Sequence, residues 1–265
     1  MLSLLQLEGQ IRLFSFLGIF ALMALWEFRQ PYRQLRLSRL QRWPHQLGLI
    51  VLNGFILRLL FPTAAAGSAW YAQQNGLGLM QLLGLNIFIA SLIGFLFLDF
   101  TIYWQHVLAH KLNWFWKLHR THHADTDFDL TTGLRFHPLE IIISMLIKVG
   151  VIVLMGIPLP AVIIFEIVLS GSAMFNHSNI ALPPRIDTII KKLIVTPTMH
   201  RIHHSTHRFE HDSNYGFFLS VWDHWFNSYT EKASEDDHTM PIGLSSFRDT
   251  ENVSLPRILT IPFRN

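Results

Sequence analysis

Apolar runs long enough to cross a bilayer recur along this chain, and they limit its fold more than any other feature. A spanning helix needs about 20 apolar residues, because a backbone polar group inside lipid must find its partner within the helix. Ile11 to Phe28 meets that requirement, with charges at Arg12 and Glu27 only near its ends. Leu47 to about Tyr71 forms a second run, broken by Arg58 and Pro62. Leu79 to Leu98 forms a third; it meets Asp99, and the helical pattern continues through Tyr103 and Trp104. Leu139 to Phe175 is apolar and split near Gly156-Ile157-Pro158-Leu159-Pro160. Each half has roughly 17 residues, the lower limit for a span. Proline cannot continue the preceding helix, so a tight helical hairpin is expected, crossing fully or re-entrant. Charged residues make up 15% of the chain, against about 25% in a soluble domain, too few to cover a water-exposed surface.

The connecting segments set an orientation. Arg29, Arg33, Arg36, Arg39 and Arg42 fall in one loop without an acid, which the positive-inside rule assigns to the cytoplasm. No small-residue cleavage site follows the first run, so it is read as a retained span and not a signal peptide. Residues 72–78 carry no charge and are expected outside. Segment 104–138 and everything after Phe175 then return to the cytoplasm. A net charge of +3 suggests nucleic acid only where basic residues gather on a polar face. Here they gather beside apolar runs, so no nucleic-acid partner is expected.

Cysteine is absent, which removes disulfides, thiol catalysis, Cys-ligated zinc and iron–sulfur clusters. Histidine is abundant: 12 of the 15 lie between positions 106 and 211. His106 and His110 form H-x-x-x-H at the end of the third run. His119, His122 and His123 form H-x-x-H-H, and His200, His203 and His204 repeat it. Residues at i, i+3 and i+4 share a helix face, so each box offers two imidazoles to one point while the adjacent third turns to a neighbouring point. That suits two metal ions. Imidazole favours Fe, Zn, Cu and Ni, whereas magnesium and calcium want carboxylates, which are scarce here. His177 follows the hairpin directly and is a further candidate ligand. His137, just before Pro138, is either a ligand or a hydrogen-bond partner of one. Asp99 shares a helix side with His106 and His110 and is expected to hold a ligand histidine, with Tyr103 on the same side; Glu140, Asn176 and Glu210 are weaker candidates for such support.

The order H-x-x-x-H, H-x-x-H-H, F-H-P, N-H and H-x-x-H-H resembles the fatty acid hydroxylase superfamily, which includes sterol desaturases and integral-membrane sphingolipid hydroxylases. The likeness is strongest in HRIHHS, NYG and WDHWFNSY within residues 199–230, and covers roughly 95–230. It implies a helical membrane domain with a cytosolic cap. It also implies two iron ions held by His106, His110, His119, His122, His123, His200, His203 and His204, with His177 and His137 as further ligands. O₂ is the implied co-substrate and a C–H bond of a fatty acyl, sphingolipid or sterol-like lipid the target, hydroxylation being favoured over desaturation. Zinc is expected to substitute for iron in purified protein. His207, His211 and His224 depart from the expected pattern. A membrane zinc hydrolase using metal-bound water is the alternative; a metal transporter would hold its ligands mid-membrane, not at span ends.

Electrons have no internal source. There is no glycine-rich dinucleotide motif and no cysteine, and no appended haem domain is expected from ends this short. A separate reductase, ferredoxin or cytochrome b5-like carrier is therefore expected. The expected architecture is all-α: an integral membrane bundle of about four or five spans with a cytosolic, histidine-rich helical cap, in a plasma (inner) or endoplasmic reticulum membrane. Residues 1–78 would hold the N-terminal spans and basic loop, 79–230 the histidine-box domain, and 231–265 a cytoplasmic tail.

Overall fold

A computed structural model describes residues 2–264, and every long element in it is a helix. The helix α1 covers Leu2–Arg29, α2 Arg39–Leu60, α3 Ala64–Gln74, α4 Leu79–Leu82 and α5 Ile87–Lys111. Then follow α6 (Asn113–His123), α7 (Pro138–Met155), α8 (Leu159–Asn176), α9 (Pro184–Ile190), α10 (Pro197–His203), α11 (Arg208–His211), α12 (Val221–Trp225) and α13 (Leu255–Thr260). Five segments are long and apolar enough to span: α1, α2 with its continuation to Leu82, α5, α7 and α8. The protein is thus an all-helical integral membrane protein. Phe14, Val51, Phe88 and Leu154 point outward, as lipid-facing side chains do.

Local chemistry explains the boundaries. Ser38 and Gln41 form a capping box at the start of α2, satisfying two orphan N–H groups reciprocally. The second apolar run breaks at Phe61-Pro62-Thr63, giving α2 and α3 in place of one helix. The third run also differs from the sequence expectation: Leu79–Leu82 is a single turn. The span proper starts at Ile87, where the Asn86 side chain accepts from the Phe88 and Ile89 amides. It runs on to Lys111 and so carries His106 and His110 in its last two turns.

The 139–175 stretch is a hairpin of α7 and α8. Gly156 closes α7 with φ +68, a left-handed conformation that glycine adopts without cost. A Cβ there would lie 2.6 Å from the Leu77 carbonyl oxygen, so the hairpin turn and the segment after α3 touch at the same end of the bundle.

The core between the helices is built on Leu98, Ile102, Met145, Ile157, Leu159 and Phe165. Here α8 packs on α1, α3 and α5, while α7 packs on α2, α3 and α5. At the end opposite the hairpin turn, the C-termini of α1, α5 and α8 meet the N-termini of α2 and α7. Glu27, buried near the end of α1, accepts from the Leu130 and Asn179 amides, each at 2.7 Å. The shorter helices and loops cap this end.

Candidate metal centre

Three helix termini and one short helix deliver the histidines. His106 and His110 come from α5, His119, His122 and His123 from α6, His177 from the C-cap of α8, and His200, His203 and His204 from α10 and its C-cap. They converge into two groups. His106, His110, His119, His123 and His203 form one; His122, His177, His200 and His204 form the other. Within each, one ring nitrogen per residue lies within 4.8 Å of all the others. The groups are neighbours: the His123 ring of the first stacks on the His204 ring of the second, 4.4 Å between centroids.

Helix phase produces the division. In each H-x-x-H-H box the i,i+4 pair enters one group and the i+3 residue enters the other. His119 and His123 go with His106, while His122 crosses over. His200 and His204 go with His177, while His203 crosses over. Each box therefore serves both groups.

The outer nitrogens are tied down. The Nδ1 atoms of His106, His203 and His177 donate to the Tyr215, Ser213 and Ala173 carbonyls, each at 2.7 Å. His119 Nδ1 donates to Glu140 Oε1 at 2.7 Å. Each of these bonds fixes a tautomer whose inward Nε2 carries a lone pair. Yet His106 Nε2 sits 3.1 Å from His119 Nε2, and His177 Nε2 sits 3.0–3.1 Å from the Nε2 atoms of His122, His200 and His204. The facing lone pairs of His106 and His119 repel at that spacing unless a cation lies between them, and the lone pair of His177 can accept from at most one of its three neighbours. A metal–imidazole bond of about 2.1 Å at tetrahedral or right angles sets nitrogens roughly 3.0–3.4 Å apart. His123 on both ring nitrogens and His203 on Nε2 are buried without any partner. The donor set therefore fits two metal ions, and its all-nitrogen chemistry suits iron or zinc.

Electrostatics agree. Burial, reinforced by neighbouring rings, pushes His122, His123, His200, His203 and His204 well below the usual histidine value. Burial takes His177 down to about 4. At neutral pH these rings are uncharged, the form that binds metal.

Nine of the ten histidines expected as ligands are brought together. The tenth, His137, lies outside both groups: it is the N-cap of α7, its Nδ1 accepting from the Leu139 amide at 3.2 Å. Pro138 at the first helical position makes residue 137 the cap. Asp99 also differs from expectation. It accepts from the Leu219 amide at 3.2 Å and Trp222 Nε1 at 2.8 Å, tying α5 to the segment around α12, and it holds no ligand histidine. Glu140 does that for His119. Through hydrogen bonds, Tyr103 is three residues removed from His106. Its hydroxyl meets Ser228 Oγ at 2.8 Å, Ser228 donates to Asp223, and Asp223 accepts from the amides of Tyr215 and Gly216. Tyr215 is the residue whose carbonyl orients His106.

Of the other histidines, His211 stacks on Trp116 and approaches His110 together with Asp212. His207 is exposed and pairs with Glu235. Asn176 donates to the Phe217 carbonyl, and Glu210 accepts from the Ser234 amide.

Sequence reasoning missed Asp223 and a cluster of acids. Asp125, Asp127 and Asp129 follow the first H-x-x-H-H box and surround the buried Arg42 guanidinium, which lies 2.7, 3.8 and 2.5 Å from their carboxylates. Burial raises the Asp125 pKa, but Arg42 and Arg135 overcome that and hold it below the usual carboxylate range. The signal was the alternating D-x-D-x-D, whose counter-ion lies some 80 residues earlier in a loop read only for topology.

Fold and site together define a helical membrane protein with two neighbouring histidine groups, each able to hold a metal ion, at one end of the bundle. The fatty acid hydroxylase family profile matches residues 91–228, just over half of the chain, and the chain belongs to that family. It is 32% identical over 140 residues to human alkylglycerol monooxygenase, covering 51% of this chain and 29% of that protein. It is 28% identical over 138 residues to an ornithine lipid hydroxylase of Rhizobium tropici, covering 52% and 40%. It is 20% identical over 210 residues to a very-long-chain aldehyde decarbonylase of indica rice, covering 76% and 30%. The match thus spans well under half the length of these curated relatives. No solved structure matches significantly.

Proposed function

We propose that the protein is an O₂-dependent lipid hydroxylase with two iron ions, one in each histidine group. One observation carries this reading: two adjacent sets of imidazoles, sequestered inside the fold, bring their ring nitrogens together around two neighbouring points. The similar proteins named alkylglycerol monooxygenase and ornithine lipid hydroxylase support a lipid substrate and oxygen insertion. Bound iron supplies the O₂ chemistry that attacks an unactivated C–H bond. The chain's own part is geometric. Carbonyls of Tyr215, Ser213 and Ala173 and the Glu140 carboxylate hold the rings in one tautomer and orientation. The Asp223–Ser228–Tyr103 chain fixes the Tyr215 carbonyl. The ligand side chains are buried, that of His110 included, which keeps bulk water out.

Inserting one oxygen atom of O₂ and reducing the other to water needs two electrons and two protons, so a separate electron carrier docks from outside the bundle. The histidine end faces the cytoplasm in this reading, because the arginine-rich segment 29–42 lies at that end. The test uses anaerobically purified protein and lipid extracts from cells with and without the gene, grown under ¹⁸O₂. About two irons per chain and a lipid carrying ¹⁸O dependent on the gene are expected. A protein holding only zinc, with no oxygenated lipid, would overturn the reading.

A further inference from the structure

Beside the histidine groups, inside the bundle, lies a cavity of about 310 Å³. Its near wall belongs to the metal centre: Phe136 stacks on His122 at 4.5 Å, and Glu140 holds His119. Its far wall carries Arg12, Lys148 and Glu166. Glu140 and Lys148 are eight residues apart on α7, about 12 Å along the axis. Side chains such as Leu57, Ile102, Ile141 and Met145 make the stretch between them apolar.

Buried acceptors on Asn53, Gln105 and Glu140 line this cavity without a donor, and two of them, on Asn53 and Glu140, belong to side chains tied to residues of the metal face. Asn53 of α2 is 8% exposed; its Nδ2 donates to the Phe136 carbonyl at 2.9 Å, which fixes the amide and leaves Oδ1 unpaired. Glu140 is 4% exposed, with Oε1 engaged by His119 and Oε2 unpaired. Native proteins rarely leave buried acceptors unsatisfied, and these two line the same cavity beside the metal face. The far wall is charged. Lys148 Nζ reaches Glu166 Oε1 at 2.9 Å, and Arg12 Nη1 reaches Glu166 Oε2 at 2.8 Å and Glu8 Oε2 at 3.3 Å, so this wall is a network of ion pairs. A methyl-terminated alkyl chain filling this space would satisfy neither wall.

We propose that the cavity takes a lipid head first, Asn53 Oδ1 and Glu140 Oε2 accepting hydrogen bonds from hydroxyl or N–H groups next to the oxidised carbon, with the alkyl tail left in the bilayer. The inference rests on the lipid-hydroxylase reading and narrows it to lipids with donors near the reacting carbon, at the expense of plain fatty acyl chains. Asn53 and Arg12 lie outside residues 91–228, so the N-terminal helices add this selectivity to the family's histidine domain.

The test compares two probes that differ only in donors: a monohexadecyl glycerol ether with free hydroxyls, and the same ether with both hydroxyls methylated. Equilibrium binding is measured to the iron-loaded protein in nanodiscs. Wild-type protein is expected to prefer the free hydroxyls by roughly tenfold, and Asn53→Leu to bring the two within about twofold while iron content stays at the wild-type level. Equal binding of both probes by wild-type protein overturns the inference, and needs no variant. A preference that survives in iron-replete Asn53→Leu also overturns it. The hydroxylase reading fails on different ground, by the absence of ¹⁸O in every lipid.

Discussion

Arg42 answers three carboxylates at once, its fully buried guanidinium lying among Asp125, Asp127 and Asp129, while Arg135 reaches Asp125 alone at 3.6 Å. Removing one partner of a buried ion cluster leaves charge uncompensated. Arg42→Met should therefore lower stability by about 3–5 kcal/mol, read by denaturation in detergent. Arg42→Lys should recover only part of that, since an ammonium lacks the planar fork that engages two carboxylates. His137 and His122 give a paired prediction. His137 caps α7 while His122 belongs to a histidine group. Asparagine is an equally good cap, so His137→Asn should retain wild-type iron content by metal analysis, whereas His122→Ala should lose iron. Iron loss in both would return His137 to the ligand set. The histidines were legible in the sequence because their spacing repeats the helix period. The cap role of His137 was also on view, in the proline that follows it. Arg42 was not, because a lone arginine in a basic loop looks the same whether it faces water or three acids brought close by the fold.

At the scale of elements, composition located the spans but not their ends. Pro62 marked the break at Phe61-Pro62-Thr63, whereas the restart at Ile87 depends on the Asn86 cap, a local group that a hydropathy run averages away. The hairpin was legible because its glycine and prolines are local signals. How each H-x-x-H-H box divides between groups follows from phase, one i,i+4 pair and one i+3 residue; which partners they meet depends on α5, α6, α8 and α10 meeting in space, and no local pattern records that. The hairpin turn carries its own prediction. Gly156 has φ +68, and a Cβ there would press the Leu77 carbonyl at 2.6 Å. Gly156→Ala should cost at least the roughly 1–2 kcal/mol of a left-handed alanine, visible as earlier unfolding. Because the turn lies at the end away from the histidines, iron content of the folded fraction should not change.

For the whole molecule, the consequential question is which side of the bilayer holds the histidine end. Segment 29–42 is rich in arginine, yet several of those side chains are engaged in the fold: Arg33 donates to the Met240 carbonyl and Arg42 is buried among acids. Arginines paired inside the protein still act during insertion, when the chain is unfolded and its partners have not been made, so the positive-inside rule keeps its force. The fold adds a second constraint. The turn after α3 touches the α7–α8 hairpin turn, and the cap, with segment 231–240, gathers at the opposite end, where Arg33 meets Met240. The chain has no cysteine, so single-cysteine variants report one position each. Gln74→Cys and Lys232→Cys, both at exposed sites, should be labelled by a membrane-impermeant maleimide from opposite sides in oriented vesicles. Position 74 should react from outside and position 232 only after permeabilisation. Reaction of both from one side would require the bundle to lie within a single leaflet, and the assignment of five spans would fall with it.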